Sequence, residues 1–186
     1  WGGFPTYQVF FDSVRVPRAN LVGELNHGWH YMTTALDFER VSMGSVGQAQ
    51  RLFEDVAAWC RGAVLDGRRV GERPWVRAQL AQLAVDLEIG KLLGWLNAGT
   101  IDRGEVPVKE ASMVKVFSSE LRQRVCDVGL AVMDLHGQGT RDADALPLQR
   151  RLQRMYRAAP VWRFGGGTNE VQRDIIAQHG LGLPRK

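Results

Sequence analysis

The chain has 186 residues, 45% of them apolar and 24% charged, which suits one domain with a buried core. Its 24 basic and 20 acidic residues leave a net charge of +4, scattered rather than gathered into a stripe with aromatic platforms, which argues against nucleic acid as a partner. No run of about 18 apolar residues could span a bilayer, and Cys60 and Cys126 are too few for a disulfide scaffold, which points to a soluble protein of a reducing, cytoplasmic compartment.

The β-branched and aromatic run Val9 to Pro17 predicts a strand, and Asn20 to Gly28 a loop punctuated by Gly23 and Gly28. From Trp29 the apolar period turns helical. Tyr31, Leu36, Phe38, Val41, Val46, Leu52, Phe53, Val56 and Trp59 predict one helix to about Val64, broken by Asp66-Gly67. Pro74 fits the first turn of a second helix, whose face carries Leu80, Leu83, Leu87, Leu92 and Trp95 to about Thr100. After Gly104 and Pro107, a third helix is expected from about Val108 to Leu135, with Val114, Phe117, Leu121, Val125, Val128 and Val132 on its apolar face. A shorter helix from Leu148 to about Tyr156, a break at Gly165-Gly166-Gly167 and a last helix from Asn169 to His179 complete the chain. The elements predict an all-α fold, an antiparallel four-helix-type bundle preceded by a short β-strand tail.

Three segments could carry chemistry. In Leu36-Asp37-Phe38-Glu39-Arg40, Asp37 and Arg40 share a helix face, while Glu39 lies between apolar neighbours. A half-buried Glu39 would be a strengthened base; the plainer reading is an exposed helix salt bridge. In Phe164-Gly165-Gly166-Gly167-Thr168-Asn169-Glu170, the glycines allow close backbone approach to a helix N-terminus that Thr168 or Asn169 can cap, with or without a ligand. Leu135-His136-Gly137-Gln138-Gly139-Thr140 is either a second ligand-lining turn or a helix C-cap. His27 and His30 lack the companions a metal site needs, and both cysteines read as core residues, so no metal is expected.

Taken in order, these segments resemble one family. Val9 to Gly23 is similar to the end of the β-domain of the acyl-CoA dehydrogenases, and Gly28-Trp29 with Leu36 to Arg40 to the start of their C-terminal helical bundle. Leu135 to Gly139 resembles their flavin-facing glycine turn. Gly166-Gly167-Thr168-Asn169-Glu170-Val171-Gln172-Arg173, then Ile175-Ile176-Ala177 and Leu181-Gly182-Leu183-Pro184-Arg185, resembles their last helix and tail. The resemblance divides the chain into residues 1–24, the end of a β-domain and linker, and 25–186, the helical bundle.

It also implies α,β-dehydrogenation of an acyl-CoA thioester with FAD as hydride acceptor. The family places its catalytic carboxylate at one of two positions, matched here by Gly166, which has no side chain, and by Glu39; the implied base is therefore Glu39. By the same resemblance Asp37 and Arg40 touch the substrate's CoA or thioester end, and Gly137, Thr168, Glu170 and Arg68 serve the flavin. An electron-transfer flavoprotein or similar acceptor and a homo- or hetero-oligomer are the implied partners. The family's Arg-x-x-Phe-Gly run, which reaches a neighbouring subunit's FAD, is missing from Leu65-Asp66-Gly67-Arg68-Arg69-Val70-Gly71. That departure resembles members that form half of a hetero-oligomer, the alternative being a non-catalytic or half-site subunit.

Overall fold

The computed structural model describes residues 7–133 and 147–185. The helices among them are α1 Gly28–Met43, α2 Gly47–Gly62, α3 Pro74–Asp102, α4 Val108–Met133, α5 Pro147–Phe164 and α6 Asn169–Leu181. A short antiparallel hairpin, β1 Val64–Leu65 with β2 Arg68–Arg69, joins α2 to α3. No helix among the described residues is long and apolar enough to cross a membrane.

The expected all-α bundle is the observed one, and α4 is its axis, packed against α1, α2, α3, α5 and α6. Ala111, Val114, Leu121, Val125, Cys126, Val128, Val132 and Met133 of α4 are all buried. A helix apolar on several sides belongs in the middle of a bundle. Around it, α2 contributes Ala49, Leu52, Val56 and Cys60 at helical spacing, α3 contributes Leu83 and Leu87, and α5 contributes Leu152, all to one core.

Three expected elements differ. The helix predicted from Trp29 to Val64 is two helices, α1 and α2, because the chain turns at Gly44. Gly44 lies so close to α4 that an added Cβ would overlap the Val114 side chain, and its N–H closes the end of α1 on the Arg40 carbonyl at 3.1 Å. Gly44→Ala is expected to destabilise the chain by about 1–3 kcal/mol through overpacking. The measurement is the thermal midpoint, and an unchanged midpoint would show that Val114 yields freely.

The segment predicted as a strand, Val9 to Pro17, is exposed and without ladder partners, and it bends at Asp12-Ser13, where Ser13 has φ 50°. Strand propensity forms no sheet without a second strand to take up its backbone hydrogen bonds. The helix predicted to stop near Tyr156 runs on as α5 through Pro160 to Phe164. Tyr156, whose carbonyl loses its helical donor to Pro160, is exposed, so water can take that donor's place.

Candidate active site

The turn between α5 and α6 is a constrained stretch of backbone. Gly166 and Gly167 adopt φ of 69° and 95°, where an L side chain is strained. A Cβ on Gly167 would also stand 2.5 Å from Gln172 Nε2. Two cations hold consecutive carbonyls of this turn. Arg40 of α1 donates from Nε to the Gly166 carbonyl at 3.3 Å, and Lys115 of α4 donates from Nζ to the Gly167 carbonyl at 2.6 Å.

Lys115 is only 1% exposed. Its ammonium also donates to the Arg163 carbonyl at 2.9 Å and to Asn169 Oδ1 at 2.8 Å. Three protons thus meet three acceptors, which ties the last turn of α5, the glycine turn and the first residue of α6 to one point on α4. Asn169, itself buried, passes the link on from Nδ2 to Glu120 at 3.2 Å, and Arg173 donates to the same carboxylate oxygen at 2.6 Å. Burial works against the Glu120 anion, but the hydrogen bonds and charge around it, led by Arg173, hold its carboxyl below the usual range.

Asp37 and Arg40 share a face, as their spacing predicts, and their ion pair is 2.5 Å long. Both residues are buried, which corrects the plainer reading of an exposed helix pair. Because Arg40 Nε is spent on Gly166, the pair fixes α1 to the turn; Arg40 Nη2 makes no hydrogen bond among the described residues. Glu39 is exposed rather than half-buried, on the outer side of α1. Trp29, Met32 and Glu39 stand at i, i+3 and i+10, which is one face of a helix. Trp29 is 74% and Met32 46% exposed, so the carboxylate sits on an apolar face that the described residues leave uncovered.

Thr168 caps α6, accepting from the Val171 N–H at 3.2 Å. Glu170 is exposed at the same end, and its carboxyl is held below the ordinary value by its own backbone N–H and the Thr168 hydroxyl. Gln172 is fully buried, yet its Oε1 has no partner among the described residues, so the turn still holds an acceptor to be satisfied. Arg68 lies apart from this group, on the hairpin beyond α2. Sixteen residues of α2 span roughly 24 Å. Gly137 lies outside the described residues. Burial pushes the Cys60 and Cys126 thiols up to about 11 and about 12, so neither is a nucleophile near neutrality.

The family model for the acyl-CoA dehydrogenase C-terminal domain matches residues 26–181. The chain belongs to the acyl-CoA dehydrogenase family. Acyl-CoA dehydrogenase FadE26 of Mycobacterium tuberculosis is 36% identical over 188 residues, covering 98% of this chain and 47% of that protein. The ChsE4–ChsE5 complex of the same organism superposes with a TM-score of 0.83 at 36% identity, over 95% of this chain and 46% of the other. The Tcur3481–Tcur3483 steroid acyl-CoA dehydrogenase gives 0.84 at 35%, over 95% and 45%. The chain therefore spans about half the length of the relatives it matches.

The residue that sequence reasoning missed in this chain is Lys115. Its signal was there: a lone lysine in the apolar run Met113-Val114-Lys115-Val116-Phe117. Burial, first of all, lowers its ammonium from the ordinary 10.5 to about 8. Below pH 8 the amine is charged in both folded and unfolded chains, and folding carries the cost of burying the charge. Between about 8 and 10.5 the folded chain has released a proton that the unfolded chain still holds, so that cost is relieved as pH rises. Relative to a Lys115→Met variant, the unfolding free energy is expected to climb across this window by at most about 1.4 kcal/mol per pH unit. Urea titrations at several pH values measure it, and a flat difference would contradict a depressed ammonium.

Proposed function

We propose that this chain is the C-terminal half of an FAD-dependent enzyme that desaturates an acyl-CoA thioester between its α- and β-carbons, with Glu39 as the base. The observation that carries the reading is Glu39 on the uncovered apolar face of α1, a helix that Arg40 ties to the glycine turn. Trp29 and Met32 leave that side of α1 apolar and open to the rest of the enzyme and to an acyl chain. Once it is covered, water leaves the carboxylate and its basicity rises. Glu39 then takes the α-proton, and the electron pair of the broken C–H bond moves into the new Cα–Cβ double bond. Arg40 Nη2, beside Asp37, is the free donor for the CoA or thioester end.

The turn suits the nucleotide end of FAD. The unpaired Gln172 Oε1 and the Glu170 carboxylate are acceptors for hydroxyl and N–H groups, at a helix N-terminus capped by Thr168. These are features of an adenosine, while Arg68 on the distant hairpin suits the flavin of a neighbouring subunit. When bound, FAD supplies the acceptor for the β-hydride. Reoxidation then falls to an electron-transfer flavoprotein or a similar acceptor. The test is anaerobic bleaching of the full-length holoenzyme by straight-chain, branched and steroid-side-chain acyl-CoA thioesters. Bleaching by at least one class is expected, and none by any class would end this reading.

The second reading is a subunit that completes a partner's site. It is favoured by the missing Arg-x-x-Phe-Gly run and by the two-component make-up of two relatives, ChsE4–ChsE5 and Tcur3481–Tcur3483. An oligomer surface is available on α3, where Val85, Ile89, Leu92, Trp95 and Leu96 are exposed and Trp95 is 68% so. Under this reading the full-length chain purifies with less than one FAD per chain until its partner is co-expressed. A yellow homo-oligomer with one FAD per chain decides for the first.

A further inference from the structure

Arg122 of α4 is 7% exposed and has no carboxylate partner among the described residues. Its Nε makes no hydrogen bond. Its guanidinium lies 4.4 Å from the centre of the Trp162 ring and is 3.5 Å from the Ser45 carbonyl. A buried cation compensated only by a ring and a long carbonyl contact is costly unless an anion joins it. Burial accordingly weakens its hold on its proton.

Arg122 lines a cavity of about 550 Å³ between α2, α4 and α5, which also holds Arg51, Arg151 and Arg154 and no acidic residue. Arg151 is paired with Asp55 beside the cavity. Arg51 and Arg154 have no ion pair among the described residues. Among the described residues, three guanidiniums are left uncompensated, more than one carboxylate can balance. Leu52, Met155, Ala158 and Trp162 give the cavity an apolar side. Lys115 and Arg122 are seven residues apart, so the cavity lies roughly 10 Å along α4 from the glycine turn.

We propose that this cavity is a second binding site, separate from the thioester site, for an organic phosphate. Its dianionic head is gripped by Arg51, Arg122 and Arg154, and its ester body rests on Trp162 and Met155. Guanidinium forks match phosphate oxygens in pairs, and a cavity of this size takes a small molecule of that class.

Pyrophosphate is the probe. Calorimetric titration of the full-length protein at fixed ionic strength is expected to show saturable one-to-one binding. Arg51→Gln with Arg154→Gln, both exposed residues, weakens it at least ten-fold and leaves flavin content and acyl-CoA bleaching unchanged. Arg122→Met abolishes it without lowering the thermal midpoint of the phosphate-free protein. No saturable binding, or equal binding by the wild type and the Arg51/Arg154 double variant, overturns the site. Loss of flavin in that double variant would make the cavity part of the flavin site and overturn its separateness. The outcome is independent of Glu39, because it needs no turnover.

Discussion

Glu39→Gln in the full-length protein is expected to slow acyl-CoA-driven bleaching of the flavin by about 10³-fold, the scale of a lost general base. Glutamine keeps the size of the side chain and loses only its capacity to take a proton. Glu39 is exposed and packs against nothing that fixes the bundle, so folding and flavin content should not change. Adding Gly166→Glu to that variant offers a carboxylate at the family's other position. The backbone there has φ 69°, which costs a non-glycine residue about 1 kcal/mol or more, so only partial recovery is expected. Near-normal bleaching by Glu39→Gln alone would remove this residue from the chemistry.

Lys115→Met is expected to destabilise the chain by at least about 3 kcal/mol. Methionine fills much of the lysine's volume but leaves the carbonyls of Arg163 and Gly167 without that donor, while Asn169 Oδ1 keeps only the Ser119 hydroxyl at 3.3 Å. Each buried acceptor left unpaired costs about 1–3 kcal/mol, partly recovered where water enters. The loss should be local as well as global. Amide exchange in residues 164–169 should accelerate more than in α2 or α3, because the turn has lost its tie to α4. A variant with wild-type urea midpoint and unchanged exchange at the turn would show that Arg40 alone holds it.

The bundle was legible because helical periodicity is written in local spacing. Leu83 and Leu87 of α3, and Leu121, Val125 and Val132 of α4, lie in the core that their intervals predicted. The break at Gly44 was not legible. Its cause is Val114, seventy residues away, and a glycine inside an apolar pattern does not announce what it approaches. The Val9 to Pro17 segment failed in the opposite way: its residues favour a strand, but pairing needs a partner outside the local window. In the site, the spacing of Asp37 and Arg40 gives their shared face but not their burial, and it leaves Glu39 open between half-buried and exposed, whereas the fold exposes it.

The class of fold, the family, and Asp37, Arg40 and Glu170 as charged candidates were written in the amino-acid order. These follow from period, composition and ordered motifs, all of which are local. Packing in three dimensions brings Lys115 and Arg40 onto neighbouring carbonyls of one glycine turn, and buries Arg122 without an anion among the described residues. The physical reason is that hydrogen bonds and desolvation depend on which groups meet in space. Lys115 and Gly167 are 52 positions apart in the chain and 2.6 Å apart in the fold.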